Sequence, residues 1–174
     1  MKPDDPGERA DVAERQHIRS AADAVGDSRI RAFGVLLGTA ARLERLLGGA
    51  MERESGISHP MFEVLLHLAA APEGVPMGDL SRDLVLTSGG ATRLVDRMVA
   101  AGLVERCRSQ SDKRVQLVTL TGEGERTLVA AARRHVRELD RHVSGTLSPA
   151  QAASMLDGLD RLGRHAREAL PPLG

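Results

Sequence analysis

Residues 87–106 read TSGGATRLVDRMVAAGLVER, and residues 111–121 read SDKRVQLVTLT. In the first stretch Ala91, Leu94, Val95 and Met98 recur at i, i+3, i+4 and i+7, the period of a helix with one apolar face. Ser88, Gly89, Thr92, Arg93, Asp96 and Arg97 fall on the opposite face. Thr87 or Ser88 is placed to cap the start, and Gly102 to end the helix as the residue just past it. The period then changes to two. Leu103–Arg108 and the β-branched run Val115–Leu120 read as paired strands, joined by the polar tip Ser109–Arg114.

Upstream, Ser58 precedes HPMFEVLLHLAAAP, with Pro60 in the first turn and Pro72 closing the segment. PMGDLSRDL follows, with Met77, Leu80 and Leu84 at helical spacing. Before these, a long helical pattern runs from Ser28 to about Arg53, apolar over so much of its girth (Ile30, Phe33, Leu36, Leu37, Leu43, Leu46, Leu47) that it hints at a partner subunit. Residues 11–25 are good helix formers, with Ile18, Ala21, Ala22 and Val25 on one side. Downstream, Thr121 caps a helix with Glu123 and Glu125 in its first turn, where the helix dipole favours acids. Its expected stripe is Leu128, Val129, Ala132, Val136, Leu139 and Val143. A last helix begins at Ser148-Pro149 and presents Met155, Leu156, Leu159, Leu162, Ala166 and Leu170.

A chain of 174 residues with 41% hydrophobic and 28% charged content can bury a core, which excludes a disordered class. No apolar run approaches the ~18 residues of a membrane helix. The start MKPDDPGERADVAERQ lacks an apolar signal region, so a cytoplasmic setting without membrane attachment is expected. Cys107 is the single cysteine, which excludes an internal disulfide and a paired-thiolate zinc site. With Phe33 and Phe62 as the only aromatics of the Phe/Tyr/Trp class, stacking platforms for single-stranded nucleic acid are lacking. Net charge is zero, yet residues 82–114 hold seven basic groups against four acidic ones. The basic focus coincides with the helix and hairpin.

Short helices followed by a two-stranded hairpin make a winged helix-turn-helix, whose second helix enters the major groove of duplex DNA by its N-terminal end. That end is Thr87-Ser88-Gly89-Gly90-Ala91-Thr92-Arg93: small residues allow close approach, and free helix amides suit phosphate. Arg93 and Arg97 can grip phosphates or donate twice to guanine. On the hairpin, Arg114 suits a narrow minor groove, with Asp112 two residues earlier able to hold it in place. Asp96 would repel phosphate and is expected to orient an arginine.

Leu80-x-x-x-Leu84, residues 87–106 and the wing Ser111–Thr121 strongly resemble the MarR family of bacterial transcription regulators, with flanking helices that extend the likeness to about residues 28–170. The resemblance implies a mostly α fold with a two-stranded β-wing and long N- and C-terminal dimerisation helices. On this division, residues 1–27 are an extension that adds a helix, as in extended members of the family, 28–57 and 121–174 are the dimerisation region, and 58–120 are the DNA-binding lobe. It implies a homodimer on a pseudo-palindromic duplex operator, acting as a repressor and released by a small phenolic or anionic effector. Thr87, Ser88, Thr92, Arg93 and Arg97 fall on the recognition helix, and Asp112, Lys113 and Arg114 on the wing tip. Arg42, His59, Met61, Phe62 and Leu65 are candidate effector contacts, though the same residues serve equally well as core.

Rival readings are weaker. Cys107 is read as inert, because its sequence neighbours Arg106 and Arg108 point to the opposite face of a strand. His135 and His142 are seven residues apart, ~10 Å along a helix, and cannot share a metal without ligands from elsewhere. A zinc-responsive regulator of the same fold is therefore the alternative, since such relatives exist, and a winged module for protein contact a more distant one. No nucleophile elbow, phosphate loop or metal-ligand helix motif points to an enzyme or a cofactor.

Overall fold

The structure, a computed structural model, describes residues 18–83, 88–109 and 113–170. The chain divides into two compact units, Met1–Arg45 and Leu46–Gly174. In the first, helix α1 (Ala21–Gly26) is capped by Ser20, whose Oγ accepts from the Asp23 amide at 3.1 Å, while Asp23 Oδ2 accepts from the Arg19 amide at 3.0 Å. This corrects the expectation of one helix over 11–25: Ile18 and Arg19 are not helical, and residues 1–17 lie outside the described ones. Helix α2 (Ser28–Ser55) begins at Asp27, whose carboxylate accepts from the amides of Arg29 and Ile30 at 2.8 and 3.3 Å. Arg29 Nη2 adds an ion pair at 2.6 Å. The guanidinium hydrogen bonds hold the Asp27 carboxyl well below the usual carboxylate range. Helix α2 stops two residues later than expected, at a left-handed glycine, Gly56 (φ 69°).

The second unit carries the rest. Helix α3 (His59–Ala69) follows Ser58, which occupies the cap position, but its buried hydroxyl makes no hydrogen bond among the described residues. Strand β1 (Val75–Pro76) leads into α4 (Met77–Asp83), then α5 (Ser88–Ala100), β2 (Val104–Arg108), β3 (Gln116–Leu120), α6 (Gly122–His142), a 3-10 turn (Ser144–Thr146) and α7 (Pro149–Ala169). The expected two-stranded wing is a three-stranded antiparallel sheet in the order β1-β3-β2. Val75 pairs with Val118 and Pro76 with Leu117. A proline, having no amide to give the ladder, fits only such an edge. Gly74 brings the chain in at φ 91°, where an added Cβ would stand 2.8 Å from Thr119 Cγ2.

Helix α5 ends as its sequence suggests. Gly102 (φ 71°) donates to the Val99 carbonyl and Leu103 to that of Met98, both at 2.9 Å. This double closure leaves only residues 101–103 between helix and strand. Leu65, Leu68, Leu80, Val95, Met98, Val104 and Val118 are almost wholly buried, so the core lies where α3, α4, α5 and the sheet meet. Helix α6 packs on it through Gly124, Leu128 and Ala131. Val129 and Val136, expected on that buried stripe, are 44% and 54% exposed instead. They stand away from the line that Leu128 and Ala131 set against the core. Helix α7 opens with a capping box between Ser148 and Gln151 and buries no residue.

Candidate nucleic-acid interface

The two faces of α5 separate as the spacing requires. Ala91, Leu94, Val95 and Met98 are buried, while Gly89, Thr92, Arg93, Asp96 and Arg97 are exposed. Ser88 is the first residue of the helix, and Thr87 lies outside the described residues. Burial of the apolar line against α3, α4 and β2 thus fixes which way both arginines face.

The hairpin supplies a second set of cations. Residues β2 and β3 pair from Val104↔Leu120 to Arg108↔Gln116, and the Ser109 amide donates to the Val115 carbonyl at 3.0 Å just below the tip. Lys113 and Arg114 are exposed in the turn that leads into β3, and Arg108 is exposed at the end of β2. Asp112 lies outside the described residues, and the expected Asp112–Arg114 pairing with it.

Asp96 does orient an arginine, and its partner is Arg106: Nη1 stands 2.6 Å from Asp96 Oδ1. Arg106 is one of the seven basic groups of residues 82–114, but the sequence pattern alone gives it no partner. Strand alternation was the available signal, because Arg106 shares a face with Val104, which is buried. Cys107 is exposed, on the other face, opposite Leu117.

Four of the candidate effector contacts, His59, Met61, Phe62 and Leu65, share helix α3. Phe62 and Leu65 are core residues at 4% and 0% exposure, and Met61 packs against the same core. Arg42 belongs to the first unit, its guanidinium lying over Gly38. His59 is held by rings: His135 at 5.8 Å and Phe62 at 6.4 Å between centroids, with Glu63 Oε1 3.4 Å from His59 Nε2. A shallow cleft opens beside this cluster, lined by residues of α2 and α6 that include Met51, Glu54, Ser55, Arg134, His135 and Glu138. The Ser55 hydroxyl is buried there without a hydrogen-bond partner among the described residues. Periodicity could not have found this cleft, because its lining comes from helices some eighty residues apart in sequence.

His142, about two turns along the helix from His135, pairs with Glu138 at 3.4 Å. Among the described residues no group of three or more His, Cys, Asp or Glu could hold a metal ion, and no helix is long and apolar enough to cross a membrane.

Residues 55–115 match the MarR family model, a span that takes in α3 through the wing tip. Among characterised proteins, the chain is 28% identical over 112 residues to the HTH-type transcriptional regulator BilQ of Clostridium symbiosum, covering 64% of this chain and 76% of that one. Among solved structures it is similar to Sco3205, a MarR family transcriptional regulator from Streptomyces coelicolor in complex with DNA. That likeness has a TM-score of 0.72 and 27% identity, covering 77% of this chain and 84% of the other. It is also similar to CouR from Rhodococcus jostii bound to p-coumaroyl-CoA, with TM-score 0.67 and 25% identity over 75% of this chain and 90% of that one.

Proposed function

This chain belongs to the MarR family of transcription regulators through its winged lobe, and from that premise we propose that it is a repressor that binds a pseudo-palindromic duplex operator as a homodimer. The observation that carries the reading is the exposed Thr92, Arg93 and Arg97 face of α5, set beside a hairpin bearing Arg108, Lys113 and Arg114. A helix so oriented reads base edges, while wing cations engage phosphates or the minor groove. The DNA complex of the similar Sco3205 supports it.

Dimerisation rests on apolar surface that each unit leaves uncovered. Phe33 is 60% exposed and Leu37 55% in the first unit; Leu156 is 62% and Leu162 58% in the second. Leucine and phenylalanine side chains repeated at such exposure gain by burial against a second copy. Two recognition helices then sit about one DNA turn apart, ~34 Å, and an effector that alters that spacing releases the operator. The cleft beside His135 is the proposed effector site: it is shallow and would widen to admit a ligand, and Arg134 at its wall suits an anionic one. The p-coumaroyl-CoA bound by the similar CouR supports an anionic ligand.

Selection from a random duplex pool at two salt concentrations tests the function. A palindrome with steeply salt-dependent affinity is expected. Failure to enrich any sequence would exclude operator binding and leave protein contact as the use of the wing.

A further inference from the structure

Asp96 lies within the surface just assigned to DNA, exposed between Arg93 one turn back and Arg97 beside it. A carboxylate there repels phosphate. It is also a natural intrahelical partner for Arg93, three residues away, and a guanidinium so engaged is withdrawn from base or backbone. Asp96 is instead held from outside the helix, by Arg106 at 2.6 Å.

Arg106 reaches it by construction. Strand β2 packs on α5, and alternation puts Val104 and Arg106 on one side of the strand and Glu105 and Cys107 on the other. The Arg106 Nε is buried with no hydrogen-bond partner among the described residues, so the guanidinium is lodged between strand and helix rather than extended into solvent. The glycine closure at 102, with three residues between helix and strand, keeps the two at this distance.

We infer that Arg106 is a positioning residue for DNA binding, which occupies the Asp96 carboxylate so that Arg93 stays available to DNA. This rests on the reading of α5 as the recognition helix. Arg106 acts through Asp96 and not by touching the duplex.

The test is fluorescence anisotropy on the selected duplex, with a thermal melt of every protein. Arg106→Gln is expected to weaken binding by about tenfold, the size of one arginine's contact to a base lost when Asp96 captures Arg93. Adding Asp96→Asn removes the carboxylate that would capture Arg93, and is expected to restore affinity to within about threefold of the unsubstituted protein. Arg93→Ala should cost much less in the Arg106→Gln background than alone. A double variant as weak as Arg106→Gln, at an unchanged melting temperature, would overturn the inference in favour of direct DNA contact by Arg106. So would Arg106→Gln binding within about threefold of the unsubstituted protein. If Arg106→Gln does not fold, Arg106→Lys keeps the charge opposite Asp96 and is expected to bind within about threefold; a tenfold loss there would overturn it. An unsubstituted protein that selects no sequence would sink the recognition-helix reading itself, before any variant is compared.

Discussion

Thr121 Oγ1 stands 2.7 Å from the Gly102 carbonyl oxygen and 3.0 Å from that of Leu103, and it also accepts the Gly124 amide at 3.0 Å. One hydroxyl therefore joins the end of α5, the start of β2 and the first turn of α6. Thr121→Val keeps the shape and removes all of these bonds. It is expected to lower stability by about 1–2 kcal/mol, the range for a lost helix cap, in urea unfolding. Thr121→Ser should recover most of the loss. Equal stability of the valine variant would mean that the junction is held by packing alone.

Gly124 is the packing partner of that junction. A Cβ built there would stand 2.0 Å from the Leu103 carbonyl oxygen, and 2.8 Å from Leu120 Cδ1. The leucine can yield; a backbone carbonyl at the end of a closed helix cannot. Gly124→Ala is expected to destabilise by about 3 kcal/mol or more, at the upper end of overpacking costs, with a matching fall in the urea midpoint. Its neighbour Gly122 meets nothing closer than the end of Arg126, so Gly122→Ala makes a well-matched control.

Arg93 and Arg114 divide the labour between helix and wing on the proposed operator. Arg93→Ala is expected to cost about 1–3 kcal/mol on the preferred duplex and to relax base preference at one position in each half-site. Arg114→Ala should weaken binding alike across sequences and reduce the log-log salt slope by about one per phosphate lost. Gel-shift titrations of both variants on matched and mismatched duplexes separate the outcomes. Unchanged affinity for both would remove these residues from the interface.

Much of this interface was legible because its signals are local. The i, i+3, i+4 line from Ala91 to Met98 reports burial directly, so Arg93 and Arg97 had to lie outward. Gly102 and Thr121 announce helix ends through backbone conformation and hydroxyl chemistry, and both act as expected. What escaped depends on partners remote in sequence. Val75–Pro76 becomes a strand only because β3 lies alongside, forty residues later. The Asp96–Arg106 pair spans a helix end and a change of period. Ala131 displaces Val136 from the buried line of α6 because the approach of the core, not the helix period alone, selects the packed edge.

Asp27 should give the first helix junction an acid sensitivity. Its carboxyl is lowered chiefly by the Arg29 guanidinium, with the amides of Arg29 and Ile30 adding to the effect. A carboxyl lowered in the folded state contributes fully above its unfolded value, about pH 4, and the contribution fades as pH falls towards the folded one. Protection of the Arg29 and Ile30 amides against hydrogen exchange is therefore expected to fall on acidification below about pH 4. Asp27→Asn should retain a cap and abolish that dependence. Persistence of the dependence in the asparagine variant would assign it to another group.

Helix α7 separates folding from assembly. None of its residues is buried, and Leu156 and Leu162 are 62% and 58% exposed. Replacing exposed side chains ordinarily changes stability by less than about 0.5 kcal/mol. Leu156→Asp with Leu162→Asp should therefore leave the winged lobe of a single chain folded, since its core is built from Met51 at the end of α2, Ile57, α3, α4, α5, α6 and the sheet, with nothing from α7. In a dimer the same two positions would place carboxylates in an apolar interface, where an unpaired charge is strongly disfavoured. Sedimentation equilibrium is expected to show a dimer for the unsubstituted chain and a monomer for the double variant. The monomer should also lose preference for a full palindrome over one half-site. A double variant that remains dimeric would move the interface away from α7 and leave its leucines without that role.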